Sequence, residues 1–275
     1  MTAQTTSAPS SDSAAVSGSD HRFVRHLDLF SGIGGFALAA QMVGGIETVG
    51  FCEIDPWAQK VLAKNFPGVP CHEDVKTLDP NDYGRIDLIT GGYPCQPFSV
   101  AGLRRGQEDD RHLWPEVRRI VEQCRPRMVL CENVAGHVTM GLDEVLSELE
   151  SLGYSAGATV IPACAVGAGH RRDRLWIIAH AKRQGRKRHQ PDNCILSGTI
   201  KAHAKPCDGI AATWTQLARC RGSIRESDGL SVQMVRNATK GAGNAIVPQV
   251  AAEILRVMME VDSLTNTKDM PRQSA

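Results

Sequence analysis

The stretch His26-Leu27-Asp28-Leu29-Phe30-Ser31-Gly32-Ile33-Gly34-Gly35-Phe36 combines a short apolar strand, a glycine loop and the opening of a helix. His26–Phe30 predicts the strand and Gly35–Val43 the helix. Glycines at this junction let a backbone approach a ligand closely, beside the free N–H groups of a helix start. Gly32, Gly34 and Gly35 are therefore candidate ligand contacts. Their Gly-x-Gly-Gly spacing differs from the dinucleotide pattern Gly-x-Gly-x-x-Gly, which argues against a dehydrogenase. A second strand, Thr48–Ile54, follows and ends on Glu53. An acid at this place accepts ribose hydroxyls in adenosine-type sites.

The same alternation continues along the chain. Pro56–Asn65 reads as a helix with proline in its first turn. Ile86–Thr90 reads as a strand, Leu113–Gln123 as a helix and Met128–Glu132 as a strand. Leu142–Leu152 carries Leu142, Val145, Leu146, Leu149 and Leu152 at helical spacing. Ala158–Ala163 and Arg174–Ala179 read as strands, and Ile246–Val261 as a closing helix. Strands alternating with helices predict an α/β fold, a mostly parallel sheet with helices on both faces.

Hydrophobic content of 42% and charged content of 22% are those of a soluble globular protein. No apolar run approaches the roughly 20 residues of a membrane span, and the start of the chain lacks the pattern of a signal peptide. Nine cysteines without paired spacing fit a reducing compartment. Cys52, Cys71, Cys124, Cys131 and Cys164 sit in or beside apolar stretches and read as buried small hydrophobes. Cys194, His203, Cys207 and Cys220 contain no Cys-x-x-Cys, so no metal site is expected. The net charge of +1 hides an uneven distribution. From Ala181 to Lys240 twelve basic residues face four acids, a block that suits a polyanion.

Three motifs carry chemistry. Gly91-Gly92-Tyr93-Pro94-Cys95-Gln96-Pro97-Phe98-Ser99 holds Cys95 between prolines directly after a strand. Such a backbone fixes the direction of the thiol, so Cys95 is a candidate nucleophile. Glu132-Asn133-Val134 ends another strand at the same sheet edge and offers a carboxyl group able to grip or protonate a base. In His170-Arg171-Arg172-Asp173-Arg174, alternate residues of an extended segment share a face. Arg172 and Arg174 would thus point the same way and present donor forks suited to carbonyl oxygen or phosphate.

These motifs, in this order, resemble those of the DNA (cytosine-5)-methyltransferases, with the closest likeness to small bacterial and phage members. The likeness runs from Leu27 to Val261, interrupted by the basic block. It includes Gly243-Asn244-Ala245-Ile246-Val247-Pro248, similar to the family's last motif. One departure is His170, where the family usually has Gln. The resemblance implies a Rossmann-like class I S-adenosylmethionine-dependent methyltransferase fold with a small irregular target recognition domain. Composition predicts a disordered tail at 1–22 and a frayed polar tail at 262–275; the resemblance implies a catalytic domain at 23–180, target recognition at 181–235 and a return at 236–261.

It further implies methyl transfer from S-adenosylmethionine to C5 of a flipped-out cytosine in a specific duplex sequence, through a covalent Cys95–C6 intermediate. Cys95, Glu132, Arg172 and Arg174 would be catalytic. Phe30, Gly32, Gly34, Gly35, Glu53, Ile54, Asp74, Pro94 and Asn244 would hold the cofactor. Arg104, Arg105, Arg186, Arg188, Arg219 and Arg221 would bind DNA, and the loop 99–111 would close over the substrate. The expected partner is double-stranded DNA, with a cognate restriction endonuclease as a candidate companion. The expected state is a monomer in the cytoplasm of a bacterial cell or phage-infected host. A tRNA cytosine-5 methyltransferase of the same fold and a catalytically inactive DNA-binding homologue stand as alternatives.

Overall fold

The computed structural model describes residues 23–94, 113–139, 141–182, 240–241 and 243–267. Seven strands form one sheet in the order β3-β2-β1-β4-β5-β7-β6. They are β1 (Val24–Leu29), β2 (Ile46–Cys52), β3 (Cys71–His72), β4 (Leu88–Gly91), β5 (Met128–Val134), β6 (Tyr154–Pro162) and β7 (Asp173–Ala181). Strands β1 to β5 are parallel, whereas β7 runs antiparallel to both β5 and β6. The mostly parallel reading therefore holds, with an antiparallel pair at one edge. Only 163–172 separate β6 from β7, too little chain for the crossover that parallel strands require.

The described helices are α1 (Gly35–Val43), α2 (Pro56–Asn65), α3 (Trp114–Cys124), α4 (Leu142–Ser151) and α5 (Pro248–Thr267). Helix α2 starts where expected because the Asp55 side chain accepts from Trp57 N and Pro56 takes a position that needs no donor. Helix α5 continues to Thr267, beyond the Val261 expected from sequence. Asp262, placed in a frayed tail by the sequence reading, is helical and pairs with Arg127.

Side-chain alternation divides the core. Leu27, Leu29, Ile89, Val129, Cys131 and Ile177 face α3 and α4, while Val24, Leu88, Met128, Leu130 and Trp176 face α1 and α5. Chain order runs outward from β1 through β2 to β3, then returns to β4 on the opposite side of β1. The crevice above β1 and β4 is thus the topological switch point, where open α/β sheets take their ligands. Among the described residues no helix is long and apolar enough to cross a membrane.

Candidate active site

The glycine loop leaves β1 at Phe30, whose φ of 53° is left-handed. Ser31 ties the loop to the end of β2: its amide donates to Cys52 O, and its hydroxyl donates to Asp28 O at 2.6 Å. Glu53 then braces the loop from below. One carboxylate oxygen accepts from Gly32 N at 2.7 Å and the other from Asp55 N at 2.8 Å. Phe30, Gly32, Gly35, Gly92, Glu132 and Asn244 line a single cleft. Gly34 stands apart. Its φ is 87°, and a Cβ there would lie 2.4 Å from the Phe66 ring. It shapes the start of α1 against α2 and does not line the cleft.

On the cofactor side, Ile54 is 73% exposed beside Glu53, and the half-buried Asp74 follows β3. An apolar side chain and two carboxylates at adjacent strand ends suit a purine ring and a ribose. Gly32, also left-handed, has open space where a Cβ would sit, so its backbone can be approached closely. These residues fit an adenosine-type cofactor. Gly35 packs under Ile246, with a Cβ position 2.6 Å from Cγ1, which brings the segment bearing Asn244 over the helix start.

On the opposite wall stands Glu132, 8% exposed. Arg174, across the β5–β7 ladder, places Nε 2.7 Å from Glu132 Oε1. Burial pushes the Glu132 carboxyl above its ordinary range, while Arg174 and then Arg172 pull it back. The result is a carboxyl group held close to charge but easier to protonate than one in water. Both arginine charges reach Glu132, but by different backbone routes. Arg172 has φ 33°, so the chain turns before β7 begins at Asp173 and the extended alternation does not reach it. Its guanidinium donates to the carbonyls of Gly243 and Ala245 at 2.9 and 2.8 Å. Arg172 thereby pins the Asn244 segment, and its charge still acts on Glu132.

Pro94 stands exposed where β4 leaves the sheet. Cys95, the loop 99–111, Arg104, Arg105, Arg186, Arg188, Arg219, Arg221, the tail 1–22 and the block 183–235 lie outside the described residues. Of the thiols read as buried, Cys52 and Cys131 are so, and burial pushes both up to about 12. Cys71 and Cys124 are half-buried. Cys164 is exposed, because it sits in a short turn after β6 and does not pack into the apolar stretch beside it.

Sequence reasoning missed two polar features. His26 Nδ1 lies 2.9 Å from Thr48 Oγ1 and Nε2 lies 2.7 Å from Thr90 Oγ1, while the Thr90 hydroxyl donates to Asp28 Oδ1 at 2.7 Å. With its one proton committed to Asp28, Thr90 must receive Nε2–H; burial keeps His26 neutral, so Nδ1 accepts from Thr48. Burial drives His26 down to about 3 and Asp28 up to about 8. The period-2 reading assigned His26 and Asp28 to the strand but could not show that threonines on two other strands meet them. The second feature is His137, 6% exposed and 3.0 Å from the Tyr93 hydroxyl.

Sheet order, glycine loop and cleft together define a class I S-adenosylmethionine-dependent methyltransferase fold. The solved structure of S. pombe Dnmt2 methyltransferase has this fold, with a TM-score of 0.52 at 24% identity over 60% of this chain and 53% of that one. The family model for C-5 cytosine-specific DNA methylase matches residues 24–206, and the chain belongs to that family. It is 36% identical over 169 residues to type II methyltransferase M.HgiCII of Herpetosiphon aurantiacus, covering 58% of this chain and 38% of that protein. It is 36% identical over 178 residues to type II methyltransferase M.CviJI of Paramecium bursaria Chlorella virus IL3A, covering 63% and 46%. The matched stretch thus spans less than half the length of these two relatives.

Proposed function

We propose that the protein methylates C5 of cytosine in a specific sequence of duplex DNA with S-adenosylmethionine as donor. The observation that carries this reading is the buried Glu132, paired with the half-buried Arg174, in the cleft that the glycine loop also lines, in a chain of the C-5 cytosine methylase family. Such a pair has the donors and acceptors of a cytosine edge. Glu132 would take N3 and the exocyclic amine, and Arg174 the O2 carbonyl. Phe30, Gly32, Gly35, Glu53, Ile54, Asp74, Pro94 and Asn244 would hold the cofactor, with Gly34 setting the start of the helix. Arg172 would keep Asn244 over the cleft.

Bound S-adenosylmethionine supplies a methyl group activated on a sulfonium. The protein's task is to make C5 nucleophilic. Addition of the Cys95 thiolate to C6 pushes electron density to C5, and a proton shared between Glu132 and N3 stabilises the charge that develops. The raised affinity of Glu132 for a proton suits that role. Once C5 carries the methyl group, loss of its proton and of the thiolate restores the ring. The buried target atom requires the base to leave the stack. Arg104, Arg105, Arg186, Arg188, Arg219 and Arg221, with the recognition segment 181–235, would contact the phosphates, and that binding should weaken steeply with salt.

Bisulfite sequencing of DNA from cells expressing the wild type and Cys95→Ala tests the reading. Methylcytosine in one short motif, absent with Cys95→Ala, is the expected result. A folded wild type that leaves DNA unmodified but methylates tRNA would overturn the choice of substrate. Activity on neither would favour the inactive DNA-binding homologue.

A further inference from the structure

Behind the cleft, on the face of the sheet opposite Glu132, Tyr93 collects contacts from three elements. Its backbone carbonyl accepts from Asn133 Nδ2 at 3.2 Å, and its hydroxyl lies 3.0 Å from His137 Nε2. Asn133 adjoins Glu132 on β5, and His137 follows in the 3-10 turn Ala135–Thr139. The Tyr93 ring packs 5.3 Å from that of Trp114, the first residue of α3, and edge-on 5.7 Å from the imidazole. Trp114 is fixed in turn by Nε1 donating to Glu148 on α4 at 2.6 Å. Tyr93, Asn133, His137 and Trp114 are all buried, with Tyr93 only 3% exposed. Burial lowers the proton affinity of His137, so the imidazole meets the hydroxyl as a neutral partner.

This arrangement has a consequence for the chemistry. Cys95 lies two residues beyond Tyr93 in the chain, and Glu132 lies one residue before Asn133. A bond from Asn133 to the Tyr93 carbonyl and one between the hydroxyl and His137 hold the exit of β4 against the end of β5 at two points. The β4–β5 ladder ends at Gly91 and Cys131, and these two bonds extend the join beyond it. Resting on the reading of Cys95 as nucleophile and Glu132 as base-holding residue, we propose that Tyr93 and His137 are positioning residues for methyl transfer. Their side-chain bond sets the register between the strand end that leads to the thiol and the strand end that bears the carboxyl group. The pair is a feature of this chain's own residues, distinct from the cleft-lining groups.

The test uses the full chain, S-adenosylmethionine and duplex DNA made with 5-fluorocytosine in place of cytosine, where fluorine at C5 cannot leave after methyl transfer and the thiol adduct at C6 is trapped. Adduct formation, S-adenosylmethionine affinity and Tm are measured for wild type, Tyr93→Phe, His137→Leu, His137→Gln and the double variant Tyr93→Phe/His137→Leu. Each single change breaks the Tyr93–His137 bond and lowers Tm, while the double change removes both ends of that bond and recovers part of the loss. Displacing a reacting group by about an ångström costs up to about 100-fold in rate, and we expect roughly tenfold slower adduct formation in Tyr93→Phe. Cofactor affinity should stay within about twofold, as the pair lies outside the cofactor side of the cleft. His137→Gln, which keeps a polar partner, should regain part of the rate. The double variant should remain slow despite its recovered Tm. Rate that recovers in step with Tm, or a single-variant rate equal to wild type, would overturn the positioning role alone. A wild type that forms no adduct would overturn the proposed function and this inference with it.

Discussion

Replacing Asp28 with asparagine should make the protein less sensitive to rising pH. Asp28 is fully buried, and among the described residues its Oδ2 has no hydrogen-bond partner. Desolvation raises its pKa to about 8, with the Thr90 hydroxyl opposing and the Glu53 charge adding a smaller push. The unfolded chain releases this proton near 3.8. Below that value both states are protonated and the stability contribution is complete. Between 3.8 and 8 only the unfolded state ionises, so stability falls as pH rises. His26 acts with the opposite sign. Its folded value of about 3 lies below 6.5, so between those values the unfolded chain takes up a proton the folded chain refuses, and stability rises with pH.

The two slopes oppose each other up to about pH 6.5, and above it Asp28 acts alone. The slope there approaches about 1.4 kcal/mol per pH unit and rolls off near 8. Between pH 6.5 and 8 the total is roughly 1.6 kcal/mol. Asparagine keeps the acceptor for Thr90 and cannot ionise. Urea unfolding of wild type and Asp28→Asn at several pH values should therefore show the variant's relative stability growing by about that amount across the window. The corresponding gain in Tm is about 3–6 °C for a domain of this size. Other titrating groups cancel in the difference. A stability difference, variant minus wild type, that stays constant or falls from pH 6.5 to 8 would refute a neutral, buried Asp28.

Glu132→Gln keeps the shape and an acceptor for Arg174 but removes the proton-sharing group. Single-turnover methylation should fall about 10²–10⁴-fold with the fold intact by circular dichroism. Gly34→Ala drives a Cβ into the Phe66 ring at φ 87° and should cost about 2–4 kcal/mol by urea unfolding, while Gly32→Ala, in open space, should cost clearly less. Gly50→Ala places a Cβ 2.1 Å from the Tyr83 ring and should lose about 1–3 kcal/mol without changing cofactor affinity, measured by calorimetry. Arg172→Ala strips a charged donor from the carbonyls of Gly243 and Ala245 and should weaken S-adenosylmethionine binding more than it slows the bound enzyme, seen as a KM rise exceeding the kcat loss.

Much of the fold was legible in the sequence because its signals are local. The glycine loop, the Asp55–Pro56 helix start and the leucine spacing of α4 depend on neighbours within one turn or one strand, and the structure keeps those elements with ends shifted by a few residues. The antiparallel β7 was not legible as such, since it inserts between β5 and β6 and strand order is a non-local property. Helix α5 outran its sequence reading because Asp262 gains a partner, Arg127, 135 residues away. Likewise the extended reading of 170–174 failed at one backbone angle, φ 33° at Arg172, set by where the segment must meet the carbonyls of 243 and 245.

The chemistry divides the same way. Residue types and their order determined the family, the candidate nucleophile, the base-holding carboxyl and the glycine loop, because reactivity belongs to individual side chains and short motifs. Only the tertiary structure decided that Arg174 pairs with Glu132, that Arg172 holds the carbonyls of Gly243 and Ala245, and that Gly34 shapes α1 without lining the cleft. It also decided that His26, Thr90 and Asp28 form one buried chain, and that Tyr93 and His137 join two strand ends. Those are matters of distance and burial between residues far apart in sequence, and desolvation, which sets their protonation, exists only once the sheet and helices have closed around them.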